Sequence, residues 1–179
     1  MKNANVRLSL LFIVLISLLF VGPSSGQDQE ITEALDLANA PLVVEFNTAA
    51  AGPPIFELLT DDRAVFKINA QGTVSGDLDG TMSATITQLN NLVEPGFDPI
   101  SIPFTIETDQ GTIEGYYAGT FYHSSEDAEF AEVSGHGYIL SVSGAYADLF
   151  LADVFVTSQV QMVDDMGVGE SGTMTITSR

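Results

Sequence analysis

The chain has 179 residues and no cysteine, and its 24 acidic residues outnumber five basic ones to give a formal net charge of −19. The length is enough for one hydrophobic core, and the absence of cysteine excludes disulfides as a source of stability. The negative charge excludes nucleic acid and anionic lipid headgroups as natural partners. Its simplest role is to keep the surface solvated and resistant to aggregation.

The first 26 residues have the pattern of a secretory signal peptide. Lys2 and Arg7 precede an apolar run over 8–21, which the small residues of Gly22-Pro-Ser-Ser-Gly26 follow. The run is shorter than the roughly 20 apolar residues that a spanning helix needs. We expect cleavage after Gly26, with an uncleaved anchor as the alternative, and a secreted or extracytoplasmic protein that is not stably inserted in a membrane. Residues 27–179 would then form a single domain, in which three basic residues oppose 24 acidic ones for a formal charge of −21.

A short N-terminal helix is predicted over residues 28–38, and Pro41 ends it. After it we expect a strand over 42–46, a loop over 48–54 and a second strand over 55–59. The helix has apolar residues at spacings of three and four, as expected of one buried side: Ile31, Ala34, Leu35 and Ala38.

From Ala64 to Thr87 the chain alternates without a slip. Even positions are apolar or small, and odd positions from Lys67 onward are polar. A period of two is typical of strands with one buried face. The run is longer than one ordinary strand. We therefore predict a dividing turn near Gln71-Gly72 and strands that bend at their glycines.

The rest of the chain predicts five more strands joined by short turns. With eight or nine strands and no long internal helix, the fold class is all-β, a single antiparallel β-barrel of about eight strands. The predicted strands cover 100–107, 111–123, 130–145, 148–162 and 173–179, the loops cover 90–99 and 164–172, and a short hairpin connection covers 109–111.

Two segments share the pattern G-T-h-x-G-x-x-x-G-T-h, where h is apolar. They begin at Gly72 and at Gly111, 39 residues apart. Large residues alternate with glycine on the inward face of both, and small barrels fill their tapered interior in this way. The predicted interior residues are Val74, Leu78, Met82, Ile113, Tyr117 and Phe121.

These two segments, together with Gly135-His-Gly-Tyr-Ile-Leu-Ser-Val-Ser-Gly-Ala-Tyr146, resemble the strands of the allene oxide cyclase-like and dirigent-like group of β-barrels. The resemblance covers about residues 64–179. It implies a secreted or organellar eight-stranded barrel that guides the cyclisation or coupling of apolar small molecules. The family's Gly-Thr-Gly before an aromatic residue is replaced here by Ser143-Gly144-Ala145, and the resemblance carries over no catalytic residue.

The predicted ligand-binding residues are Tyr117, Phe121 and His123. They fall on the inward face of one strand and combine aromatic rings with polar groups, as ligand sites do. The first copy of the repeat has aliphatic residues at the corresponding positions, so the difference between the copies marks the site. The alternative for His123 is a residue that ends the strand, exposed or bonded to the backbone.

Other motifs lack the context that their chemistry requires. The segment over 167–172 matches G-x-G-x-x-G, but a strand follows it and nearby carboxylates would repel a phosphate. Asp77 with Asp79, and Asp164 and Asp165 with Glu170, could offer carboxylates to Ca²⁺, but neither group has the spacing of a calcium loop. The chain has neither a zinc-binding spacing nor a G-x-S-x-G elbow. We therefore expect no metal and no cofactor.

These observations predict a secreted acidic β-barrel that binds a small apolar ligand and guides its cyclisation or isomerisation. The alternative is a non-catalytic extracellular structural or interaction domain whose barrel is packed solid. A third hypothesis, an outer-membrane barrel, requires an apolar outer face and aromatic girdles. The chain has no Trp and no clear pair of girdles. Exposed strand edges are compatible with a homo-oligomer.

Overall fold

The structure is a computed structural model that describes residues 40–94, 96–124, 129–163 and 166–179. The predicted signal peptide over 1–26 and the predicted helix over 28–38 lie outside the described residues. In the part of the chain that is described, no helix has the length and hydropathy needed to cross a membrane.

The described residues form one antiparallel sheet of nine strands and a single short 3₁₀ helix, Gly144–Leu149. The β-branched, aromatic and alternating segments of the sequence become the strands, as their preference for a half-buried pleated surface predicts. The strands are β1 Leu42–Ala50, β2 Ile55–Thr60, β3 Arg63–Gly76, β4 Gly80–Asn91, β5 Phe97–Thr108, β6 Gly111–Tyr122, β7 Phe130–Val142, β8 Asp153–Val163 and β9 Met166–Thr177.

Eight of these strands close into a barrel. Neighbours along the chain pair from β3 to β9, β9 pairs with β1, and β1 pairs with β3 to complete the circle. The strand β3 is long enough for two partners on one edge, because Ala70–Gly76 pairs with β1 while 63–67 pairs with β2. The ninth strand, β2, is therefore an extension at one end of the barrel. The predicted all-β barrel of about eight strands is confirmed.

The predicted inward face of β3 and β4 is correct, but the predicted turn at Gln71-Gly72 is wrong. The turn lies at residues 77–79, after Gly76, whose φ of 100° is the left-handed conformation that glycine adopts without strain. Val74 pairs with Gly80, so even positions stay on the same face through the hairpin. Gly72 lies in mid-strand instead, where a Cβ would overlap the Asn47 carbonyl oxygen of β1. Gly72 therefore marks the closure of the barrel, not a turn.

The two copies of the glycine pattern do not have the same structure. The copy from Gly72 crosses the β3–β4 hairpin, whereas the copy from Gly111 lies within the single strand β6. The shared pattern reflects the same inward alternation of large residues and glycine.

The predicted loop over 164–172 is also wrong from residue 166 onward, and residues 164 and 165 lie outside the described residues. Strand β9 begins at Met166 and pairs with both β8 and β1. Its glycines do not form a turn. A Cβ on Gly172 would overlap Ser158 on the neighbouring strand β8, so glycine lets these two paired strands come close. The G-x-G-x-x-G match over 167–172 is part of a strand and offers no helix N-terminus to a phosphate.

The ends of several other strands differ from prediction. The first strand continues beyond residue 46 to Ala50. The predicted strand over 130–145 ends at Val142, where the 3₁₀ helix follows, and the next strand begins at Asp153 instead of 148.

In the half of the barrel that carries the β3–β4 and β5–β6 turns, core side chains occupy the interior. Two inward glycines make room for aromatic rings, since a Cβ on Gly115 would meet Phe104 and a Cβ on Gly135 would meet Tyr117. All six predicted interior residues are at most 7% exposed: Val74, Leu78, Met82, Ile113, Tyr117 and Phe121. The 3₁₀ helix and two tight hairpin turns lie at this end, where Leu149 of the helix joins the core.

The opposite end carries β2, in which all six residues are exposed. Among the described residues, β2 pairs with β3 alone. Its apolar side chains Ile55, Phe56, Leu58 and Leu59 are each more than half exposed. This end of the barrel is therefore built differently from the packed end.

Candidate functional site

A cavity of about 270 Å³ lies at the end of the barrel where β1, β4, β6 and β8 finish. A dry cavity of roughly 150 Å³ already holds a benzene molecule, so this volume suits a ligand of one or two rings. The wall is mostly apolar. Its apolar side chains include Phe66, Ile68, Ile86, Ile100, Ile102, Phe121, Val133, Val160 and Met162.

Glu170 is a buried carboxyl group in the wall of this cavity. Strand β9 places it there, and it is 7% exposed. Its Oε1 accepts a hydrogen bond of 2.6 Å from the Ser158 hydroxyl and one of 3.3 Å from the Tyr117 hydroxyl. Burial raises the pKa of Glu170 above its ordinary value, and the two hydroxyl donors oppose that shift. Glu170 is therefore closer to a neutral-pH proton donor or acceptor than an exposed glutamate.

Tyr117 contacts Glu170 from the side of the packed core and donates a hydrogen bond to it. Its side chain is fully buried on β6, beneath the residues that line the cavity. Burial and the neighbouring carboxyl group of Glu170 raise the pKa of Tyr117 well above its ordinary value. The hydroxyl consequently stays protonated and remains a donor to Glu170.

A second buried carboxyl group, Asp98 on β5, is 2% exposed and also lines the cavity. Its Oδ2 accepts a hydrogen bond of 3.0 Å from Gln88 Nε2, and its Oδ1 accepts one of 3.0 Å from the Asn91 backbone N–H. His123 Nε2 lies 4.0 Å from Oδ2. Each oxygen of Asp98 thus accepts one hydrogen bond, and His123 lies beside Oδ2 beyond hydrogen-bond distance.

The two carboxyl groups come from opposite walls. Strands β5 and β9 are four places apart in the closed circle of eight strands. Their inward side chains at the same end of the barrel therefore face the cavity from opposite sides. A ligand in the cavity would lie between Asp98 and Glu170.

The structure brings two of the three predicted site residues to the cavity wall. Phe121 and His123 line it, and their rings are 5.8 Å apart between centroids. His123 is 20% exposed and its side chain points toward Asp98, so it does more than end the strand. Tyr117 lies one layer deeper and reaches the site only through Glu170. A ligand-binding role for these three residues stays a prediction.

Five inward polar residues of the site were not predicted from the sequence: Thr48, Gln88, Asp98, Ser158 and Glu170. Each continues the period of two of its own strand, since Gln88 follows Ile86 and Asp98 precedes Ile100 in phase. Ser158 lies between inward valines, and Glu170 is in phase with Met174. Following the alternation along each strand, and beyond its predicted end where needed, would have placed all five inside.

Within the described ranges, no group of three or more His, Cys, Asp or Glu side chains is placed to hold a metal ion. Comparison of the sequence with protein-family models finds no match. Comparison with curated proteins finds no similar sequence.

The Glu170→Gln variant is expected to change how stability depends on pH. Because the folded protein raises the pKa of Glu170, the folded state holds this proton more tightly than the unfolded chain does. The resulting stabilisation is complete below the unfolded pKa and is lost as pH rises through the folded one. Wild-type stability should thus fall by more than that of Glu170→Gln above about pH 4.3, measured by urea denaturation from pH 4 to pH 8.

The matched control is Glu132→Gln, which removes one negative charge from an exposed position on β7. That variant should keep the wild-type pH profile. Parallel profiles for wild type and Glu170→Gln would show that Glu170 is not desolvated in the folded protein.

Proposed function

We propose that this chain is a secreted or extracytoplasmic β-barrel that binds a small, mostly apolar molecule in the cavity at its open end and guides the isomerisation or cyclisation of that molecule. The observation that carries the proposal is the cavity itself. It combines apolar walls with a few buried polar groups, which is the usual composition of a small-molecule site.

The distribution of packing supports binding over the alternative of a solid structural domain. Core side chains occupy the barrel between the 3₁₀ helix and Tyr117, whereas a space of about 270 Å³ remains between Tyr117 and the opposite end of the barrel. Interior voids larger than a water molecule are few in proteins because each loses packing contacts. Imperfect packing is therefore a weaker explanation than a binding site for a cavity that is lined by buried carboxyl groups.

The direction of the faces supports a barrel whose outer wall meets water. The outward residues Thr73, Ser75 and Thr81 are polar and exposed, and the apolar residues between them point inward. An outer-membrane barrel would have the reverse arrangement in its lipid-facing band.

Glu170 supports the chemical part of the proposal. Burial raises the pKa of the Glu170 carboxyl group, so its proton exchange lies closer to neutral pH than that of an exposed glutamate, which is the direction that a general acid–base catalyst of isomerisation needs. The fixed positions of Ser158 and Tyr117 would hold its carboxyl group in one orientation against the ligand. The resemblance of residues 64–179 to barrels that guide cyclisation agrees with this proposal.

Binding of a neutral aromatic probe, 1-naphthalenemethanol, tests the proposed function. We expect wild type to bind the probe and Ala70→Leu to bind it at least about tenfold more weakly, since Ala70 lines the cavity and a larger side chain would fill it. The measurement is isothermal titration calorimetry, with thermal unfolding to confirm that each variant is folded.

Ala118→Leu is the matched control, because Ala118 is exposed on the outer face of β6. It makes the same change in composition away from the cavity and should bind like wild type. If wild type does not bind the probe, or if both variants weaken binding equally, the cavity is not the site and the non-catalytic structural or interaction domain becomes the better interpretation.

A further inference from the structure

Some hydrogen-bond acceptors at the cavity wall have no donor from the described residues. Both hydroxyls that reach Glu170 donate to Oε1, and among the described residues no donor reaches Oε2. Asn90 Oδ1, also at the cavity, is buried without a hydrogen-bond partner. A buried acceptor without a donor, such as Asn90 Oδ1, is costly, and an acceptor that faces the cavity without a protein donor can take one from a bound molecule. Glu170 Oε2 weighs more in this argument than Asn90, because a carboxamide can rotate to offer its N–H₂ group instead.

The cavity is also negative. Asp98 and Glu170 both line it, and no Lys or Arg is among the described residues of its wall. The only side chain there that can carry a positive charge is His123, and it lies beside Asp98. Glu170 on the opposite wall has hydroxyl donors alone. The side of the cavity at Glu170 is therefore where a positive charge would gain most.

We propose that the ligand carries a protonated amine on an apolar body, and that the ammonium group binds at Glu170 Oε2 while the body fills the apolar part of the cavity. This inference rests on the proposed function, because it specifies the chemical class of the molecule that the cavity takes. An ammonium group has three donors and no acceptor, which complements a wall with unpaired acceptors. Its charge also compensates the desolvation of the carboxylate.

The same geometry excludes ligands with a carboxylate or phosphate group. Such a group would bring additional acceptors next to acceptors that already lack donors, and it would be repelled by Asp98 and Glu170. A neutral alcohol satisfies one acceptor without a favourable charge. The expected order of affinity is therefore amine, then alcohol, then carboxylate.

The ionisation of Glu170 links binding of the amine to pH. Protonated Glu170 would turn Oε2 into a donor and remove the charge that holds the ammonium, so the affinity for the amine should rise as Glu170 loses its proton. The other titratable groups that face it are Tyr117, which stays protonated, and Asp98 and His123 across the cavity. The contribution of Glu170 is isolated by comparing wild type with Glu170→Gln.

Three probes with the same ring and different charges test the proposal. They are 1-naphthylmethylamine, 1-naphthalenemethanol and 1-naphthoate, titrated calorimetrically into the full chain at pH 7.5. We expect the amine to bind at least about tenfold more tightly than the alcohol, and the carboxylate most weakly. We expect Glu170→Gln to reduce this preference to less than about threefold, and Glu132→Gln, which removes an exposed charge, to preserve it.

The outcomes separate the two proposals. If none of the probes binds, the proposed function fails. If the alcohol or the carboxylate binds as tightly as the amine, the cavity binds small molecules but the inferred ligand class is wrong. A preference for the amine that survives in Glu170→Gln, or that Glu132→Gln reduces equally, also overturns the inference, because it would come from the overall charge of the protein. An affinity for the amine that rises from pH 5 to pH 8 in wild type, but not in Glu170→Gln, supports it.

Discussion

Replacing Tyr117 with alanine is expected to lower the free energy of unfolding by about 3–5 kcal/mol, the range for removing a large buried aromatic side chain. Its ring is completely buried, packs against Phe104 with 6.2 Å between centroids, and fills the space left by Gly135. The variant would extend the cavity toward the packed core and remove one hydrogen-bond donor from Glu170. Urea denaturation measures the loss of unfolding free energy. The folded fraction of the variant should bind 1-naphthalenemethanol less well than wild type does.

Two controls separate the ring from its hydroxyl. Tyr117→Phe keeps the packing and removes only the hydrogen bond to Glu170, which should cost about 1 kcal/mol. Tyr116→Ala removes a half-buried ring from the outer face of the same strand and should cost clearly less than Tyr117→Ala. If the two alanine variants lose the same stability, the inward placement of Tyr117 is wrong.

Replacing Gly137 with alanine is expected to cost about 3 kcal/mol, at the upper end of the usual range for overpacking. Gly137 lies on the inward face of β7 opposite Tyr117, and a Cβ there would overlap the Tyr116 carbonyl oxygen. Every close atom belongs to the backbone of β6, so no side chain can rotate away and the two strands must separate. Thermal unfolding of the purified variant measures the effect.

Gly96→Ala is the comparison for that experiment. A Cβ at Gly96 has open space around it, so this change should leave stability within about 0.5 kcal/mol of wild type. Equal losses in the two variants would mean that contact with strand β6 is not the source of the cost, because the loss of glycine flexibility in the unfolded chain would by itself stabilise the fold.

The predicted strands, their faces and the core agree closely with the structure. Alternation is a local property, and it does not depend on which strands become neighbours. Ile100, Ile102, Phe104 and Ile106 could therefore be assigned to the interior, and all four are buried. The eight-strand barrel could be predicted for the same reason, because many short alternating strands without helices have few ways to bury one face.

The glycines were the main source of error. In a single sequence, a glycine that forms a turn and a glycine that lets two strands approach look the same. Gly76 forms a turn through its positive φ, whereas Gly72 and Gly172 lie in mid-strand, where a Cβ would overlap the paired strand β1 or β8. The pairings of β3 with β1 and of β9 with β8 distinguish them, and the first of these joins residues distant in the chain.

The candidate site was predicted in part. Phe121 and His123 were placed inward because they continue the alternation of β6, and both line the cavity. Glu170 was missed because its segment was predicted to be a loop, in which a carboxyl group is expected to be solvated. Asp98 was missed because the Pro-rich segment around it also predicted a loop.

The sequence by itself determined that this protein is an acidic all-β barrel with one apolar inner face, because composition and a period of two are encoded residue by residue. The tertiary structure alone decided which end of the barrel is filled and which is hollow. It also decided that Asp98 and Glu170, which are more than 60 residues apart in the chain, face the same cavity from opposite sides. The physical reason is that burial and the raised pKa of Glu170 arise from barrel closure, which no local segment contains.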